Sequence, residues 1–359
     1  METRVIDADG HVHEDATLAD YIEEPYRSQS SFRNYGQTGS SFRIWPTLDA
    51  HHFGIGYRSK GAFGAGKRVG PNEWVEFVDK SNLQYSVLYP TAGLGMGLVS
   101  SPDWAIAVAR AYNTWLYHTY LKKSPRLKGM ALLPMQHVPA AVEELRRAVK
   151  ELGMKGAMLP SRGLPKHLGA AEYWPVYEEA ERLDCALAVH GGSHSGMGFD
   201  TFTVYPPIPG LGHPFSLMIA LSGFVFHGVL DRFPKLRVAF LEGGAGWVTF
   251  WMDRMDRTNQ YHYQIDFRGE YLGPTAEKKP SDYIKSGRIF FGCEGNEDSL
   301  PYQVERAGAQ AFLFASDFPH EIGPDDCQKE VREILEQDGL SDTDKQAILA
   351  DNARRLYGL

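Results

Sequence analysis

The amino-acid sequence predicts an α/β fold, a single (β/α)8 TIM barrel over residues 1–359 with a long insertion after its first strand. Three observations predict this fold. Short apolar runs, eight in number, alternate along the chain with longer stretches of helical periodicity. The runs are apolar at nearly every position, as expected of parallel strands that are covered on both faces. Several runs end in a polar residue or a proline, at the side where barrel enzymes carry their chemistry. An open doubly wound sheet and a two-domain chain are the alternatives.

Eight short apolar runs are predicted to be strands. In chain order they are VIDAD (5–9), YSVLYP (85–90), MALLP (130–134), GAMLP (156–160), ALAVH (186–190), RVAFLE (237–242), RIFFG (288–292) and AFLFASD (311–317). Helical patterns over 103–121, 139–152, 170–183 and 327–337 separate them. The carboxyl-terminal stretch from Ser341 begins with helix-capping residues and predicts an amphipathic helix that closes the domain.

The interval 15–80 breaks this alternation because it is rich in glycine, serine and aromatic residues. We interpret it as an insertion within the single domain that covers the mouth of the barrel as a lid. Its aromatic residues favour an apolar or aromatic ligand, and Trp45 is a candidate substrate contact.

Composition excludes several classes of protein. The formal net charge is −8 and no basic cluster is evident, which argues against binding of nucleic acid. The three cysteines, Cys185, Cys293 and Cys327, are far apart and odd in number, so neither a disulfide framework nor a thiolate metal site is expected. No signal pattern and no uninterrupted apolar run of membrane length is present. We therefore expect a cytoplasmic protein without a membrane partner.

Imidazole and carboxylate side chains gather at the carboxyl ends of four predicted strands. Alternate residues of a strand face one side, so Asp9, His11 and His13 can point together into the barrel mouth. Glu14 lies just beyond the same strand, and further candidates lie at the ends of other strands, namely His190, His194, Glu242, Asp317 and His320. Each one alone is consistent with a hydrogen-bonded structural residue or a helix cap. Together they predict a metal site, because so much buried charge is costly without a cation. Nitrogen and oxygen ligands without thiolate suit zinc, iron or manganese.

The same motifs resemble the amidohydrolase-related superfamily, in the branch with aminocarboxymuconate-semialdehyde and resorcylate-type decarboxylases. The shared features are His-x-His on the first strand, a histidine on the fifth, and Ser-Asp-Phe-Pro-His on the eighth. The block GVLDRFPKLRVAFLEGGAGW (228–247) also resembles this branch. The resemblance covers nearly the whole chain and implies a metal-dependent TIM barrel. It implies His11, His190 and Asp317 as metal ligands.

Two departures point to a subgroup of that superfamily. The decarboxylases usually carry a catalytic histidine where this chain has Glu242. The pattern Asp9-x-His11-x-x-Glu14 resembles TIM-barrel nonheme di-iron oxygenases, many of which act on acyl-CoA-type substrates. This resemblance implies a ligand set too large for one ion, drawn from Asp9, His11, His13, Glu14, His190, Glu242 and Asp317.

The sequence thus leaves three functions open. We favour a nonheme di-iron oxygenase that uses dioxygen on an organic acid or acyl thioester. The alternative is a mononuclear zinc- or manganese-dependent decarboxylase or hydrolase, with Glu242 as a general base. A catalytically silent barrel is disfavoured by the intact ligand set.

The expected catalytic residues are Glu242, Asp317 and His194, and His213, Trp45 and His320 are candidates for contact with a small-molecule substrate. A homodimer is the general expectation for an enzyme of this kind.

Overall fold

A computed structural model describes residues 4–29, 44–46, 69–192, 194, 196–261, 276–320 and 322–359. The strands are β1 Val5–Val12, β2 Leu83–Pro90, β3 Leu127–Gly129, β4 Ala131–Leu132, β5 Gly156–Pro160, β6 Ala186–His190, β7 Arg237–Leu241, β8 Ile289–Cys293 and β9 Phe312–Phe314. All paired strands are parallel and follow chain order.

β3 and β4 are two halves of one barrel strand, which makes eight. The backbone N–H of Met130, between them, donates to Leu88 at 3.0 Å, and that of Lys155 donates to Gly129 at 2.9 Å. At the other end, the N–H of Asp317 donates to the Asp9 carbonyl at 2.9 Å. The N–H of His11 donates to the Phe318 carbonyl at 2.6 Å, so the first strand meets the residues that follow the last. The predicted TIM barrel is confirmed.

Helices fill the intervals between the strands. They are α1 Tyr26–Gln29, α2 Pro71–Lys80, α3 Pro102–Leu116, α4 Val138–Lys150, α5 Trp174–Leu183, α6 Pro207–Phe226, α7 Val229–Arg232, α8 Trp247–Tyr261, α9 Pro280–Ile284, α10 Leu300–Ala307, α11 Pro324–Glu336, α12 Asp342–Gln346 and α13 Asn352–Tyr357. Short π-helical turns at Tyr117–Leu121 and Ala347–Asp351 extend α3 and join α12 to α13. The four predicted helices are present, with ends shifted by a few residues.

The interval predicted as an insertion ends in an ordinary barrel helix. α2 buries Trp74 and Phe77, and the Phe77 ring stacks on Phe318 with centroids 3.6 Å apart. This helix therefore belongs to the first βα unit. Residues 30–43 and 47–68 lie outside the described residues, so the covering role of 15–80 stays a prediction.

α6 differs from the expectation that no segment reaches membrane length. By length and composition its 20 residues could cross a membrane, although Gly210, Gly212 and Pro214 interrupt the apolar run in the sequence. Core helices of soluble proteins pass the same test, and 56% of the apolar window of α6 is buried inside the structure. The buried positions include Leu217, Leu221 and Phe224, and α6 therefore packs as an outer-layer helix of the barrel.

Candidate metal centre

An irregularity in β1 sets the direction of its polar side chains. The pairing register with β2 shifts between Asp7 and Gly10. A side chain at Gly10 would place its Cβ 2.3 Å from the Trp74 ring, so only glycine lets this indole lie against the strand. The indole N–H then donates to the His11 carbonyl at 3.1 Å.

Asp9, His11 and His190 form the buried centre of the site. The Asp9 Oδ1 atom lies 3.0 Å from His190 Nε2 and 3.5 Å from His11 Nε2. All three residues are at most 1% exposed. Asp9 and His11 of β1 thus lie beside His190 of β6, although the two strands are far apart in the sequence.

The backbone fixes which nitrogen of His11 faces this point. Its Nδ1 lies 2.8 Å from the Pro90 carbonyl, which can only accept a hydrogen bond. Nδ1 therefore carries the proton, and the Nε2 lone pair is directed toward Asp9 and Asp317. Burial, followed by the nearby His320 and His190, holds the pKa of His11 well below its usual value. A neutral imidazole with a free lone pair is the form that binds metal.

Asp317 and His320 approach from the end of the last strand. Asp317 Oδ1 lies 3.3 Å from His11 Nε2 and 2.9 Å from His320 Nδ1. The His320 ring stacks on His11 at 4.3 Å, and its Nε2 lies 3.1 Å from the Thr91 hydroxyl. Burial would lower the pKa of His320, but Asp317 raises it to about 9.

Glu242 approaches from β7, between two histidines. Its Oε2 lies 3.2 Å from His190 Nδ1 and 3.3 Å from His213 Nδ1. His213, on α6, also donates from Nδ1 to the Glu242 carbonyl at 2.9 Å. Burial raises the pKa of Glu242, but His213 and His190 outweigh it and hold that pKa well below the usual range.

The donor atoms of this cluster fit a divalent cation. Asp9 Oδ2, His11 Nε2 and Glu242 Oε2 are buried and have no hydrogen-bond partner among the described residues. Buried polar atoms are nearly always paired, so these atoms point to a ligand between them. Two overlapping sets of residues hold such atoms within 4.8 Å of one another: Asp9, His11 and His190, and His11, Glu242, Asp317 and His320. Oxygen and nitrogen donors without sulfur suit manganese, zinc or iron.

The structure leaves two predicted ligands outside these sets. The Glu14 carboxylate accepts the backbone N–H groups of Thr91, Ala92 and Gly93 at 3.3, 3.0 and 2.8 Å. It therefore caps the 3-10 helix Ala92–Leu98 at the start. His13 follows the end of β1, and its ring centroid lies 6.3 Å from that of His320.

The remaining predicted contacts divide between the site and its surroundings. His194 is buried, and its ring lies 4.8 Å from that of His213. Trp45 packs against Tyr112 of α3, with ring centroids 6.3 Å apart, and belongs to neither donor set. Thr91, which holds His320, was not among the predicted site residues. Its position directly after the second strand run is the signal that would have indicated it.

Comparison with known families identifies the family of this chain. The amidohydrolase model of the Amidohydro_2 family matches residues 6–359. The chain belongs to this amidohydrolase family. Among curated relatives of this amidohydrolase, the 2-amino-3-carboxymuconate-6-semialdehyde decarboxylase of Dictyostelium discoideum is 26% identical over 294 residues, covering 80% of this chain and 77% of the relative. A gamma-resorcylate decarboxylase of Polaromonas sp. (strain JS666) is 25% identical over 295 residues, covering 79% of this chain and 86% of the relative.

Solved structures show the same fold. A dihydroxybenzoic acid decarboxylase from Polaromonas sp. JS666, with bound manganese and 2-nitroresorcinol, superposes with a TM-score of 0.69 at 21% identity, covering 99% of this chain and 97% of that one. The 5-carboxyvanillate decarboxylase of Sphingomonas paucimobilis gives 0.72 at 19% identity, with 100% of both chains covered. The curated relatives are enzymes, and the Polaromonas structure holds bound manganese. They are decarboxylases, and they lend no support to the expected di-iron oxygenase.

Proposed function

We propose that this amidohydrolase is a metal-dependent decarboxylase that acts on a hydroxybenzoate-type or related carboxylic acid. The observation that carries the proposal is the convergence of buried, unpartnered donor atoms, Asp9 Oδ2 and His11 Nε2, at the mouth of a barrel whose relatives are decarboxylases. Asp9, His11, His190 and Asp317 would hold one divalent ion. When bound, the ion supplies a Lewis acid that polarises the oxygen atoms of the substrate.

One ion is proposed rather than two because the carboxylate surplus is smaller than the sequence implied. The Glu14 carboxylate already accepts hydrogen bonds from three backbone N–H groups. Glu242 Oε2 lies beside Nδ1 of His190, whereas Asp9 lies beside Nε2 of the same ring. With Glu14 removed, and with Glu242 assigned to proton delivery, Asp9, His11, His190 and Asp317 remain as the proposed ligands. An octahedral ion such as manganese, held by these four, keeps positions for substrate.

We assign proton delivery to the pair formed by Glu242 and His213. When the bond between the substrate carbon and its carboxyl group breaks, carbon dioxide leaves and the electron pair stays on that carbon. The carbon then needs one proton. The His213 Nδ1–H group lies 2.9 Å from the Glu242 carbonyl and 3.3 Å from Glu242 Oε2, and it is the proton source that we assign to this step. Water restores the proton after each turnover. Asp317 is fixed by His320, and this contact orients it within the site.

The decisive experiment combines metal analysis with product analysis. Protein purified without added metal or chelator is analysed for its elements and incubated with 2,6-dihydroxybenzoate and related hydroxybenzoates. We expect about one manganese or zinc ion per chain for a four-ligand site. We also expect carbon dioxide release without consumption of dioxygen. About two irons per chain with dioxygen uptake would overturn the proposal in favour of the oxygenase.

A substitution of Glu242 distinguishes a role in proton delivery from a role as a metal ligand. Glu242→Gln keeps the shape of the side chain but removes its charge, so we expect the metal content to stay unchanged while carbon dioxide release falls about 10²–10⁴-fold. Glu336→Gln, an exposed position on α11, serves as the matched control. A parallel loss of metal in Glu242→Gln would instead assign the glutamate as a ligand.

A further inference from the structure

The loop that follows β7, residues 242–246, holds Glu242 in a conformation that its sequence alone does not favour. Glu242 has a φ of 64° and Gly244 has a φ of 65°, both in the left-handed region. A glutamate stays in this region only where the surrounding structure holds it there, because its Cβ is crowded by the backbone. Glycines at positions 243, 244 and 246 add conformational freedom to the loop. The restraint on Glu242 therefore comes from outside the loop.

Glu297, in the loop that follows β8, is hydrogen-bonded to this segment from the neighbouring strand end. Its Oε2 atom accepts the backbone N–H of Ala245 at 2.7 Å, and its Oε1 atom accepts that of Glu294 at 3.0 Å. The backbone of Gly246 also donates to the carboxylate. One side chain thus joins the loops that follow two adjacent strands of the barrel.

The close approach of Glu297 is supported from both sides. A Cβ at Gly244 would lie 3.2 Å from the Glu297 Oε2 atom, so glycine leaves room for the carboxylate. The Glu297 carbonyl accepts the side-chain N–H of Gln337 at 2.9 Å and the backbone N–H of Leu300 at 3.0 Å. Burial raises the pKa of Glu297, although the N–H groups that it accepts lower it. Because a buried carboxylate is costly without donors, this residue and the loop hold each other in place.

The loop connects Glu297 to the site through Glu242. The Glu242 carbonyl lies 2.9 Å from His213 Nδ1, and Glu242 Oε2 lies 3.3 Å from the same atom. Both contacts depend on the backbone direction at Glu242, which is on the same short loop as the Ala245 N–H that Glu297 holds. Glu297 itself belongs to neither set of metal-donor residues. A change at Glu297 should therefore reach the site by moving Glu242.

We propose that Glu297 is a positioning residue, which keeps Glu242 and His213 in the arrangement that delivers the proton. This inference rests on the proposed function, because proton delivery is a step of the decarboxylation assigned above. Glu297 holds the backbone of the loop, the loop sets the direction of Glu242, and Glu242 keeps its hydrogen bond with His213.

The competing role for Glu297 is support of α8 alone, since Ala245 and Gly246 directly precede this helix. Gln303 of α10 supplies a comparison, because it is bonded to the start of the same helix. It accepts the Thr249 N–H at 3.1 Å and donates to the Gly246 carbonyl at 3.4 Å. Loss of Gln303 should weaken the start of α8 without releasing the part of the loop that carries the glutamate.

Carbon dioxide release by manganese-loaded protein, with the hydroxybenzoate that the parent decarboxylates, tests the proposal. Glu297→Ala should lower kcat about 10–100-fold, with KM and metal content within about threefold of the parent. Glu297→Gln should give a smaller fall, because its amide oxygen can still accept one N–H, and it carries the test if the alanine variant does not fold. Gln303→Ala should keep kcat within about threefold. Equal falls in the Gln303 and Glu297 variants would overturn the positioning role.

A double substitution shows whether Glu297 acts through Glu242. In a Glu242→Gln background, Glu297→Ala should lower kcat by less than about twofold further, because the group that it positions has lost its charge. A full additional fall in the double variant would contradict the proposal.

A measurement without turnover separates this proposal from the proposed function. Nuclear magnetic resonance of metal-free protein with isotope-labelled histidine follows the His213 Nδ1–H proton, assigned with a His213→Asn variant. Its exchange with solvent should be at least about tenfold faster in Glu297→Ala than in the parent or in Gln303→Ala. Faster exchange in a protein that releases no carbon dioxide would reject the decarboxylase and retain the positioning role. Unchanged exchange in Glu297→Ala would reject the positioning role.

Discussion

Asp7 and Asp9 are two residues apart in β1, and both are almost fully buried. Asp7 lies on the side of the strand that faces Trp74 and accepts hydrogen bonds from the Ser86 hydroxyl and the Ser316 N–H. Asp9 faces the barrel mouth, and its Oδ2 atom has no partner among the described residues. Burial raises the pKa of both carboxyls, and that of Asp9 reaches about 6. A buried acid whose bonds are complete supports the fold, and one whose bonds are incomplete is available for a ligand.

The largest expected effect is at Asp9. Asp9→Asn removes the charge beside His190 and His11, so it should weaken manganese binding by more than about 100-fold, beyond the loss typical of residues that only support ligands. Titration of metal-stripped protein, followed by electron paramagnetic resonance of free manganese, measures this. Asp7→Asn is the matched control and should retain the affinity. The comparison would be reversed if the Asp7 variant lost metal and the Asp9 variant kept it.

The second effect concerns stability. Asp7→Ala leaves the Ser316 N–H and the Ser86 hydroxyl unpaired in the interior, so it should lower the free energy of unfolding by about 1–3 kcal/mol. Urea unfolding of metal-free protein measures this change. Asp7→Asn should recover most of the loss, because an amide can still accept the Ser316 N–H. A loss confined to metal-loaded protein would place Asp7 with the site instead.

A third prediction concerns another buried carboxyl, that of Glu330. Glu330 of α11 has a buried Oε2 without a described partner, and burial, together with Glu294, Glu333 and Asp7, raises its pKa to about 8. The folded protein therefore keeps a proton that the unfolded chain releases, and stability falls as the pH rises from the unfolded pKa toward 8. Glu330→Gln should be more stable than the parent at pH 8 by about 1–2 kcal/mol, and nearly equal near pH 4.5.

The control for Glu330 is Glu336→Gln on the same helix, because Glu336 is exposed. Thermal unfolding at several pH values compares the two variants. A parallel pH dependence in the parent and in Glu330→Gln would contradict the assignment.

The smallest effect is expected at Glu14, which acts on the centre indirectly. It holds the backbone of Thr91, the Thr91 hydroxyl lies against His320, and His320 lies against Asp317. Glu14→Gln should weaken manganese binding about tenfold, the lower end of the range for supporting residues. Asp15→Asn, which alters the next helix cap along the chain, should leave the affinity unchanged. Equal affinities in the two variants would remove Glu14 from this chain of contacts.

Strands covered on both faces were the most predictable part of the fold. β5 and β6 begin and end at the residues that the apolar runs GAMLP and ALAVH indicate. The site was predictable at the level of strand ends, because parallel strands of a barrel deliver their last residues to one rim. α2 was missed because it lies in an interval judged by its glycine and serine content, although Trp74, Phe77 and Val78 have helical spacing.

The role of each acid could not be predicted from spacing alone. Glu14 follows His11 by three residues, which is the spacing of the ligand pattern. Its carboxylate instead accepts hydrogen bonds from the backbone N–H groups of Thr91–Gly93. The register shift in β1 likewise depends on Trp74, which is distant in sequence. Partners of this kind become known only when the chain is folded.

Glu242 and Asp317 both adopt left-handed backbone conformations, with φ of 64° and 53°. Residues with a Cβ are held there at a cost of order 1 kcal/mol, which glycine avoids. The carboxylates of Glu242 and Asp317 are thus attached to backbone that would be less strained if these two residues were glycine. Selection for thermal stability alone would be expected to enrich glycine at these two positions. The selected proteins would be more stable but would no longer be active.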